Sequence, residues 1–267
     1  PFTPMAKGYD PIVITKAKDC YLYTQDGRKI LDAIASWWLN LHGHGNTYLA
    51  QAISRQAEQL EHIIFAGFTH EPAIRLAERL LQILPSNQSR IFYSDNGSTS
   101  VEVGLKMAIQ YFHNQAQQKN KIVALEGAYH GDTFGSMAVG ERGTFNAAYE
   151  EFLFEVAFID FPCEENFEDV KKHFEALVSK GDVAAFLFEP LVQGAGGMRM
   201  YSAEHLDELV GIAHKHNVIC VADEVMTGFG RTGKDFACLH LQNQPDIMCL
   251  SKGLTGGAMA MGATSCS

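Results

Sequence analysis

From Arg90 onward the chain alternates short, almost continuous apolar runs with longer amphipathic stretches, and this alternation constrains the fold more than any other feature. A strand that is apolar on both faces must be covered on both faces, and an intervening helix allows successive strands to run parallel. The pattern therefore predicts an α/β fold with a mostly parallel sheet covered by helices on both faces. The predicted strands are RIFYSD, KIVALEG, VAAFLFEP, VICVADEV and DIMCLS, and the predicted helices are STSVEVGLKMAIQYFHNQ, NFEDVKKHFEALVSK and SAEHLDELVGIAHKHN.

The segment before Arg90 follows a different pattern. Three short apolar runs, PIVIT, CYLYT and KILDAI, are separated by charged or turn residues, and Asp26-Gly27 is a preferred hairpin turn. Two amphipathic stretches follow: NTYLAQAISRQAEQL, with Asn46 or Thr47 as its N-cap, and HEPAIRLAERLLQIL, with Pro72 in its first turn. The sequence therefore predicts short antiparallel strands and then two helices ahead of the parallel sheet.

The composition excludes some classes of function. Of 267 residues, 46% are hydrophobic and 19% charged, and no apolar run approaches the roughly 20 residues that a membrane helix needs. The net charge of −10 argues against a nucleic-acid-binding face, which would have to be basic. The six cysteines show no C-x-x-C spacing, and the beginning, PFTPMAKGYD, has neither a secretory signal pattern nor an initiator Met, which is consistent with trimming. We expect a cytoplasmic protein with no membrane or nucleic-acid partner.

Two motifs suggest alternatives and are weak. GFGRTG matches the dinucleotide fingerprint G-x-G-x-x-G, but it does not join its strand directly and the residues after it do not predict a helix. A bent loop is the better interpretation, and an NAD-binding or non-catalytic protein remains the alternative of a different class. His42 and His44 have no third ligand nearby, so no metal site is predicted.

Polar side chains collect where the predicted strands end. In open parallel sheets, ligands bind beyond the carboxyl ends of the strands, so we expect these groups to share one crevice. They are Asn96-Gly97-Ser98-Thr99, Tyr129-His130-Gly131-Asp132, Glu189, Asp223-Glu224 and Lys252.

Asp223 and Lys252 follow neighbouring strands along the chain. A buried ion pair is one interpretation, although burying two charges costs desolvation. The other is a pyridoxal phosphate site, in which the lysine amine holds the cofactor aldehyde and the carboxylate keeps the ring nitrogen protonated. Its phosphate would lie on the turn at Gly97-Ser98-Thr99, where an ordinary helix cap is the alternative, and Tyr129 would stack on the ring. Only the cofactor accounts for polar residues at four strand ends.

Five motifs together resemble the fold-type-I, class III aminotransferases. They are SDNGSTSVEVGLKMA, YHGDTFGSMAVG, EPLVQGAGGMRMY, ADEVMTGFGRTG and LSKGLTGG, and the likeness runs over the whole chain. The resemblance implies a PLP-dependent transferase. It assigns Lys252 as the Schiff-base lysine, Asp223 as the partner of the pyridine nitrogen, Gly97 and Ser98 as phosphate-binding residues, and Tyr129 and Val225 as the residues against the two ring faces.

The tryptophan pair SWW, YHGDTFG and LVQGAGGMRMY resemble, within the family, the members that act in biotin synthesis. Those members aminate 8-amino-7-oxononanoate to 7,8-diaminononanoate with S-adenosylmethionine as amino donor. The resemblance implies that Trp37, with Trp38 beside it, lines the substrate channel, that Arg231 and Asp132 help to select substrate, and that Phe2 stands where some members carry a substrate-contacting tyrosine. Another class III activity, on acetylornithine, 4-aminobutyrate or another omega-amino acid, is the alternative within the family.

The resemblance also sets expectations about domains and partners. Residues 1–45 would form the N-terminal antiparallel segment of a small domain with a substrate-lining loop, and residues 46–267 the large cofactor-binding domain. The sequence ends fifteen residues after Lys252, so we expect the rest of the large domain and a C-terminal small domain to lie beyond it. Members of the family are homodimers, and a homodimer is expected here.

Overall fold

The computed structural model describes residues 10–143 and 146–267. The strands are β1 (Ile14–Lys18), β2 (Tyr21–Thr24), β3 (Lys29–Leu31), β4 (Arg90–Ser94), β5 (Lys121–Leu125), β6 (Ala157–Ile159), β7 (Val183–Phe188), β8 (Val192–Gln193), β9 (Arg199–Met200), β10 (Ile219–Asp223), β11 (Ile247–Leu250) and β12 (Gly262–Cys266). The helices are α1 (Ala35–Trp38), α2 (Thr47–Gln59), α3 (Glu71–Ile83), α4 (Gly97–Asn114), α5 (Phe134–Ala138), α6 (Phe167–Val178) and α7 (Ala203–Lys215). Short 3₁₀ turns cover Ala147–Phe152, Ala237–His240 and Lys252–Thr255.

A seven-stranded sheet with the order β4-β12-β11-β10-β7-β5-β6 forms the centre of the fold. The pairs among β11, β10, β7, β5 and β6 are parallel, and β12 lies antiparallel between β11 and β4. The predicted α/β class and mostly parallel sheet are therefore confirmed. Two strands of this sheet were not predicted: β6, and β12, whose sequence GATSC is too small and polar to stand out as a buried strand.

Helices cover both faces of this sheet, as the sequence predicted. Two separate apolar clusters lie on either side of it, one including Phe174, Phe186 and Leu209 and the other including Val101 and Phe112. The first cluster packs under α6 and α7, and the second packs under α4. Full burial of one such side chain contributes roughly 1.5–3 kcal/mol, so these two layers hold the strand ends in fixed positions.

Side-chain caps begin α2 and α7, and Asn46 is one of the two N-cap residues that the sequence predicted. The Asn46 side chain accepts a hydrogen bond from the backbone N–H of Leu49 at 3.2 Å, and Ser202 accepts one from His205 at 3.1 Å. Pro72 lies in the first turn of α3, where its missing N–H costs no helical hydrogen bond.

The N-terminal part of the described chain is an antiparallel sheet of β1, β2 and β3. Gly27, at φ 88°, makes the predicted turn between β2 and β3. Two predicted boundaries were wrong. The first strand begins at Ile14 rather than at Pro11. The third strand ends at Leu31 rather than at Ile34, because the chain then enters a turn that strand propensities do not predict.

That turn, α1, is left-handed. Residues 35–38 all have positive φ, between 47° and 67°. Non-glycine residues pay roughly 1–2 kcal/mol each for this conformation, so the turn persists only because other contacts hold it. Among the helices of residues 10–143 and 146–267, none has the length and apolar character needed to cross a membrane.

Candidate active site

Asp223 and Lys252 reach the same edge of the sheet from adjacent strands. Asp223 is the last residue of β10 and pairs in register with Cys249 of β11. Lys252 follows two residues after the end of β11 and opens a 3₁₀ turn. Because β10 and β11 are parallel neighbours, both side chains emerge at the carboxyl edge, where ligands of such sheets bind.

The Asp223 carboxylate is buried and held by two donors. Its Oδ2 lies 2.7 Å from Nδ1 of His130, and its Oδ1 accepts the backbone N–H of Val225 at 3.0 Å. The opposite ring nitrogen of His130, Nε2, is buried and has no hydrogen-bond partner among the described residues. Buried polar atoms are normally satisfied, so this pair forms a polar centre that an apolar core would not retain.

Lys252 lies in a partly buried position. Burial lowers the pKa of its amine, as does the charge of Arg231, while the carboxylates of Asp223 and Glu189 act against that shift. Its Nζ lies 4.8 Å from the centre of the Trp38 ring. A lysine amine with a lowered pKa spends more time neutral, which is the form that can act as a nucleophile or accept a proton.

Glu189, at the end of β7, connects two loops of the site. Its Oε1 accepts the backbone N–H of Tyr129 at 3.0 Å, and its Oε2 accepts that of Gly194 at 2.9 Å. Burial, together with the charge of Asp223, raises the pKa of this carboxyl to about 7, against the opposing effect of His130. Glu189 thus fixes the backbone at Tyr129 and at Gly194.

The first turn of α4 presents free backbone donors beside Asp223. The Asn96 side chain caps the helix by accepting a hydrogen bond from the backbone N–H of Thr99. The Thr99 hydroxyl accepts the backbone N–H of Asn96 and donates to the Asn96 carbonyl, so this hydroxyl is part of the cap. No described hydrogen bond uses the backbone N–H of Gly97 or Ser98. A Cβ on Gly97 would lie 2.9 Å from Cγ1 of Val225, so glycine is needed where this turn meets the chain after β10. Two free N–H groups at a helix N-terminus suit an anion such as phosphate.

Ser98, Asp132 and Tyr129 form one hydrogen-bonded group. The Ser98 hydroxyl accepts the backbone N–H of Asp132 at 3.1 Å, and the Asp132 carboxylate accepts the Tyr129 hydroxyl at 3.0 Å. Burial and the nearby Asp132 charge raise the pKa of Tyr129. Gly131, at φ 123°, lets the two loops approach, because a Cβ there would collide with the Ser98 side chain. The aromatic ring of Tyr129 remains half exposed at the crevice.

Glu224 faces away from this group. Its carboxylate is fully buried and accepts from the Thr227 hydroxyl at 2.6 Å and from the backbone N–H groups of Ala237 and Cys238. It therefore anchors the loop that carries GFGRTG. That loop leads into the 3₁₀ turn Ala237–His240 and not into a helix, so it lacks the context of a dinucleotide fingerprint.

The Lys252 amine lies over the ring of Trp38. The Trp37 side chain is 57% exposed. Arg231 donates to the carbonyl of Trp38 at 3.2 Å and to that of Met226 at 3.0 Å, which ties the tryptophan turn to the loop after β10.

Asp32 holds the left-handed turn from its other side. Its carboxylate accepts the backbone N–H of Ser36 at 3.0 Å and the Ser36 hydroxyl at 2.7 Å, and it lies 2.8 Å from Nε2 of His44. These bonds lower the pKa of Asp32, with burial opposing them as the largest single effect. His44 of the HGHG motif therefore takes part in positioning the tryptophan pair.

The structure thus brings most of the predicted site residues together: Gly97, Ser98, Tyr129, Asp132, Asp223, Val225, Lys252, Trp38 and Arg231. Phe2 lies outside the described residues. Sequence reasoning placed His130 and Glu189 at strand ends but gave neither a role. For His130, its place next to Tyr129 in YHGDTFG was a signal of a role in the site. For Glu189, a lone glutamate before a proline, the sequence held no such signal.

These groups match what a phosphate-bearing pyridine aldehyde requires. The site offers a helix N-terminus for the phosphate, a buried carboxylate for a protonated ring nitrogen, and an amine with a lowered pKa for the aldehyde.

The family model for class III aminotransferases matches residues 4–267. The adenosylmethionine-8-amino-7-oxononanoate aminotransferase of Synechococcus elongatus is 51% identical over 272 residues, which cover 99% of this chain and 64% of that protein. The enzyme of the same name from Staphylococcus aureus is 40% identical, covering 99% of this chain and 62% of its own. The chain therefore spans less than two thirds of the length of these relatives.

Solved structures agree in fold. The adenosylmethionine-8-amino-7-oxononanoate aminotransferase of Methanocaldococcus jannaschii superposes with a TM-score of 0.93 at 33% identity, covering all of this chain and 62% of that one. A transaminase from the marine bacterium Virgibacillus gives a TM-score of 0.94 at 30% identity, with the same coverage.

Proposed function

The chain belongs to the class III aminotransferase family, and we propose that the protein transfers an amino group to 8-amino-7-oxononanoate, with pyridoxal phosphate as cofactor and S-adenosylmethionine as amino donor. The main observation that supports this chemistry is that Asp223 and Lys252 follow adjacent parallel strands to the same edge of the sheet. The charge of the Asp223 carboxylate acts on the Lys252 amine. The substrate assignment is supported by the relatives, which share this name across organisms at up to 51% identity.

When bound, pyridoxal phosphate withdraws electrons from the substrate carbon that loses a proton. Lys252 is the residue that we assign to moving that proton. Its amine must be neutral when it accepts the proton at Nζ, and the lowered pKa favours that state. General acid–base transfer of this kind typically contributes ~10²–10⁴ in rate.

Asp223 would keep the cofactor nitrogen protonated by placing a negative charge beside it. Its two existing donors, His130 and the Val225 N–H, leave each carboxylate oxygen with a further lone pair for the ring nitrogen. The N–H groups of Gly97 and Ser98 would hold the phosphate. Tyr129 would stack on one ring face and Val225 would pack on the other.

Trp38 and Arg231 would define the wall of the substrate channel next to Lys252. The Trp38 ring would cover one side of the amine, and Arg231 donates a hydrogen bond to the carbonyl of that residue. We extend the channel to Trp37 and Phe2, and assign Asp132 to the pocket through its bond to the Tyr129 hydroxyl.

We further propose a cytoplasmic homodimer in which residues 1–45 belong with a small domain and residues 46–267 form the large domain. Large apolar side chains on the surface, among them Tyr48, Phe68, Phe152 and Met200, support an interface with a second subunit. Light scattering of the full-length protein tests the dimer.

The activity test supplies the full-length protein with 8-amino-7-oxononanoate as acceptor and with one amino donor at a time: S-adenosylmethionine, glutamate, ornithine or 4-aminobutyrate. A second series replaces 8-amino-7-oxononanoate by 2-oxoglutarate as acceptor. We expect 7,8-diaminononanoate only with S-adenosylmethionine. Turnover of ornithine or 4-aminobutyrate with 2-oxoglutarate, and none with 8-amino-7-oxononanoate, would assign another class III activity instead.

A further inference from the structure

We propose that His214, Cys220 and Asp246 form a zinc site at the opposite edge of the sheet from Lys252. The three side chains come from three elements: the last turn of α7, the second residue of β10, and the residue just before β11. One ligand atom from each residue lies within 4.8 Å of the other two. This site is separate from the proposed transamination and does not depend on it.

The geometry around Asp246 already resembles a coordination edge. Its Oδ2 lies 3.2 Å from Nε2 of His214. Two ligands at about 2.0–2.1 Å from a tetrahedral zinc lie roughly 3.3 Å apart, so these two atoms need almost no movement. The same Oδ2 accepts the backbone N–H of Cys220 at 2.8 Å, which fixes the carboxylate next to the cysteine.

The donor set favours zinc over the hard divalent ions Mg²⁺ and Ca²⁺. A thiolate, an imidazole nitrogen and a carboxylate oxygen are its usual protein ligands, whereas Mg²⁺ and Ca²⁺ prefer oxygen alone. Three protein ligands leave a fourth position for water. On binding, the Zn–S bond replaces the S–H bond of Cys220, and the proton passes to the buffer.

The position of each ligand gives a metal ion a route in. Cys220 is fully buried at the base, while about a third of the His214 and Asp246 side chains is exposed. An ion arriving from solvent would meet the imidazole and the carboxylate first and then the thiol below them. The cysteine alone would be an ordinary core residue; the two surface ligands above it make the site.

The location predicts what a bound ion would do. Strand β10 ends at Asp223 and strand β11 leads to Lys252, so zinc would join the amino ends of the two strands whose carboxyl ends carry those residues. It would also join both strands to α7. We therefore expect zinc to stabilise the fold without touching the active site.

The test is zinc binding to the full-length protein, measured by calorimetry with ZnCl₂ and, as comparison, MgCl₂, and by the thermal unfolding midpoint with each ion. We expect one Zn²⁺ site per chain, no comparable Mg²⁺ binding, and a higher midpoint with zinc. His214→Gln keeps the fold intact because the residue is exposed, and should weaken zinc binding by about tenfold or more. Cys220→Ser should remove the thiolate–metal absorption seen when Co²⁺ replaces zinc.

Matched controls are His216→Gln, on the same helix end, and Cys20→Ser, at an exposed cysteine. Both should bind zinc as the unmodified protein does. The proposal is overturned if zinc does not bind, or if His214→Gln binds it unchanged, or if Cys20→Ser or His216→Gln abolishes binding. Loss of aminotransferase activity plays no part in any of these readouts, so failure here leaves the proposed function standing.

Discussion

Nδ1 of His130 lies 2.7 Å from Oδ2 of Asp223, and both side chains are buried at the carboxyl edge of the sheet. The histidine orients the carboxylate, so the remaining lone pairs of Asp223 point in a direction that a fixed protein group sets. Without this partner, the Asp223 carboxylate would keep only the hydrogen bond from the backbone N–H of Val225, and its Oδ2 would have no fixed partner. His130 is therefore a positioning residue for the acid that we assign to the cofactor ring.

Replacing His130 by Asn should reduce the affinity for the cofactor more than it reduces the free energy of unfolding. Losing a buried hydrogen-bond partner costs about 1–3 kcal/mol, which corresponds to a loss of cofactor affinity of roughly fivefold to somewhat over a hundredfold if the whole cost falls on Asp223. Pyridoxal phosphate titration and urea unfolding measure the two effects. His113→Asn, at an exposed position late in α4, is the control and should change neither. Unchanged cofactor affinity in His130→Asn would remove the role given to this histidine.

Gly97→Ala should impair phosphate binding. The added Cβ would lie 2.9 Å from Val225 Cγ1 and must displace either the first turn of α4 or the chain after β10. We expect inorganic phosphate and pyridoxal phosphate both to bind at least about fivefold more weakly, since overpacking typically costs about 1–3 kcal/mol. Gly143→Ala is the matched control, because a Cβ there meets nothing within 4 Å. Equal affinities in the two variants would argue against a phosphate turn at Gly97.

Glu189 should make stability fall between mildly acidic and neutral pH. Its pKa is raised from 4.5 to about 7 in the folded protein, so the folded state holds a proton that the unfolded state releases. The stabilisation is complete below pH 4.5 and is lost as the pH rises through about 7, by up to about 3 kcal/mol.

Urea unfolding of the unmodified protein and of Glu189→Gln at pH 5 and pH 8 measures this difference. The glutamine variant should be less stable than the unmodified protein at pH 5, because an NH₂ group replaces one of the two acceptor oxygens. It should lose less stability than the unmodified protein when the pH is raised to 8. Parallel pH dependences would show that Glu189 does not titrate in this window.

Asp32→Asn should disturb the left-handed turn that carries Trp37 and Trp38. The asparagine oxygen can still accept the Ser36 N–H, but its NH₂ group would replace the Oδ2 that accepts the Ser36 hydroxyl and lies 2.8 Å from Nε2 of His44, at a cost of about 1–3 kcal/mol. We expect a several-fold higher KM for 8-amino-7-oxononanoate and a smaller change in kcat. Asp26→Asn, which changes the exposed contacts of this carboxylate with Arg28 and with the Thr24 hydroxyl in the β2–β3 turn, should leave both constants unchanged. A normal KM in Asp32→Asn would separate this turn from the substrate channel.

The residues that could be predicted from sequence are those placed by the ends of buried strands. Asp223 and Lys252 end long apolar runs, so the sheet alone directs them to one edge. The short strand β12 could not be predicted, because its small and polar residues are buried by neighbours distant in sequence. The left-handed turn at Trp37-Trp38 was also missed, since it depends on tertiary bonds from Asp32 and Arg231 and runs against local propensity.

The central claim is that Lys252 is the amine that holds the cofactor aldehyde. The most direct measurement is borohydride reduction of the full-length protein with pyridoxal phosphate bound, followed by proteolysis and mass spectrometry of every lysine-containing peptide. The account predicts the reduced cofactor on the peptide that contains Lys252 and its absence from Lys252→Ala. Attachment to a different lysine, or an unlabelled Lys252 peptide from protein that has bound the cofactor, would contradict it.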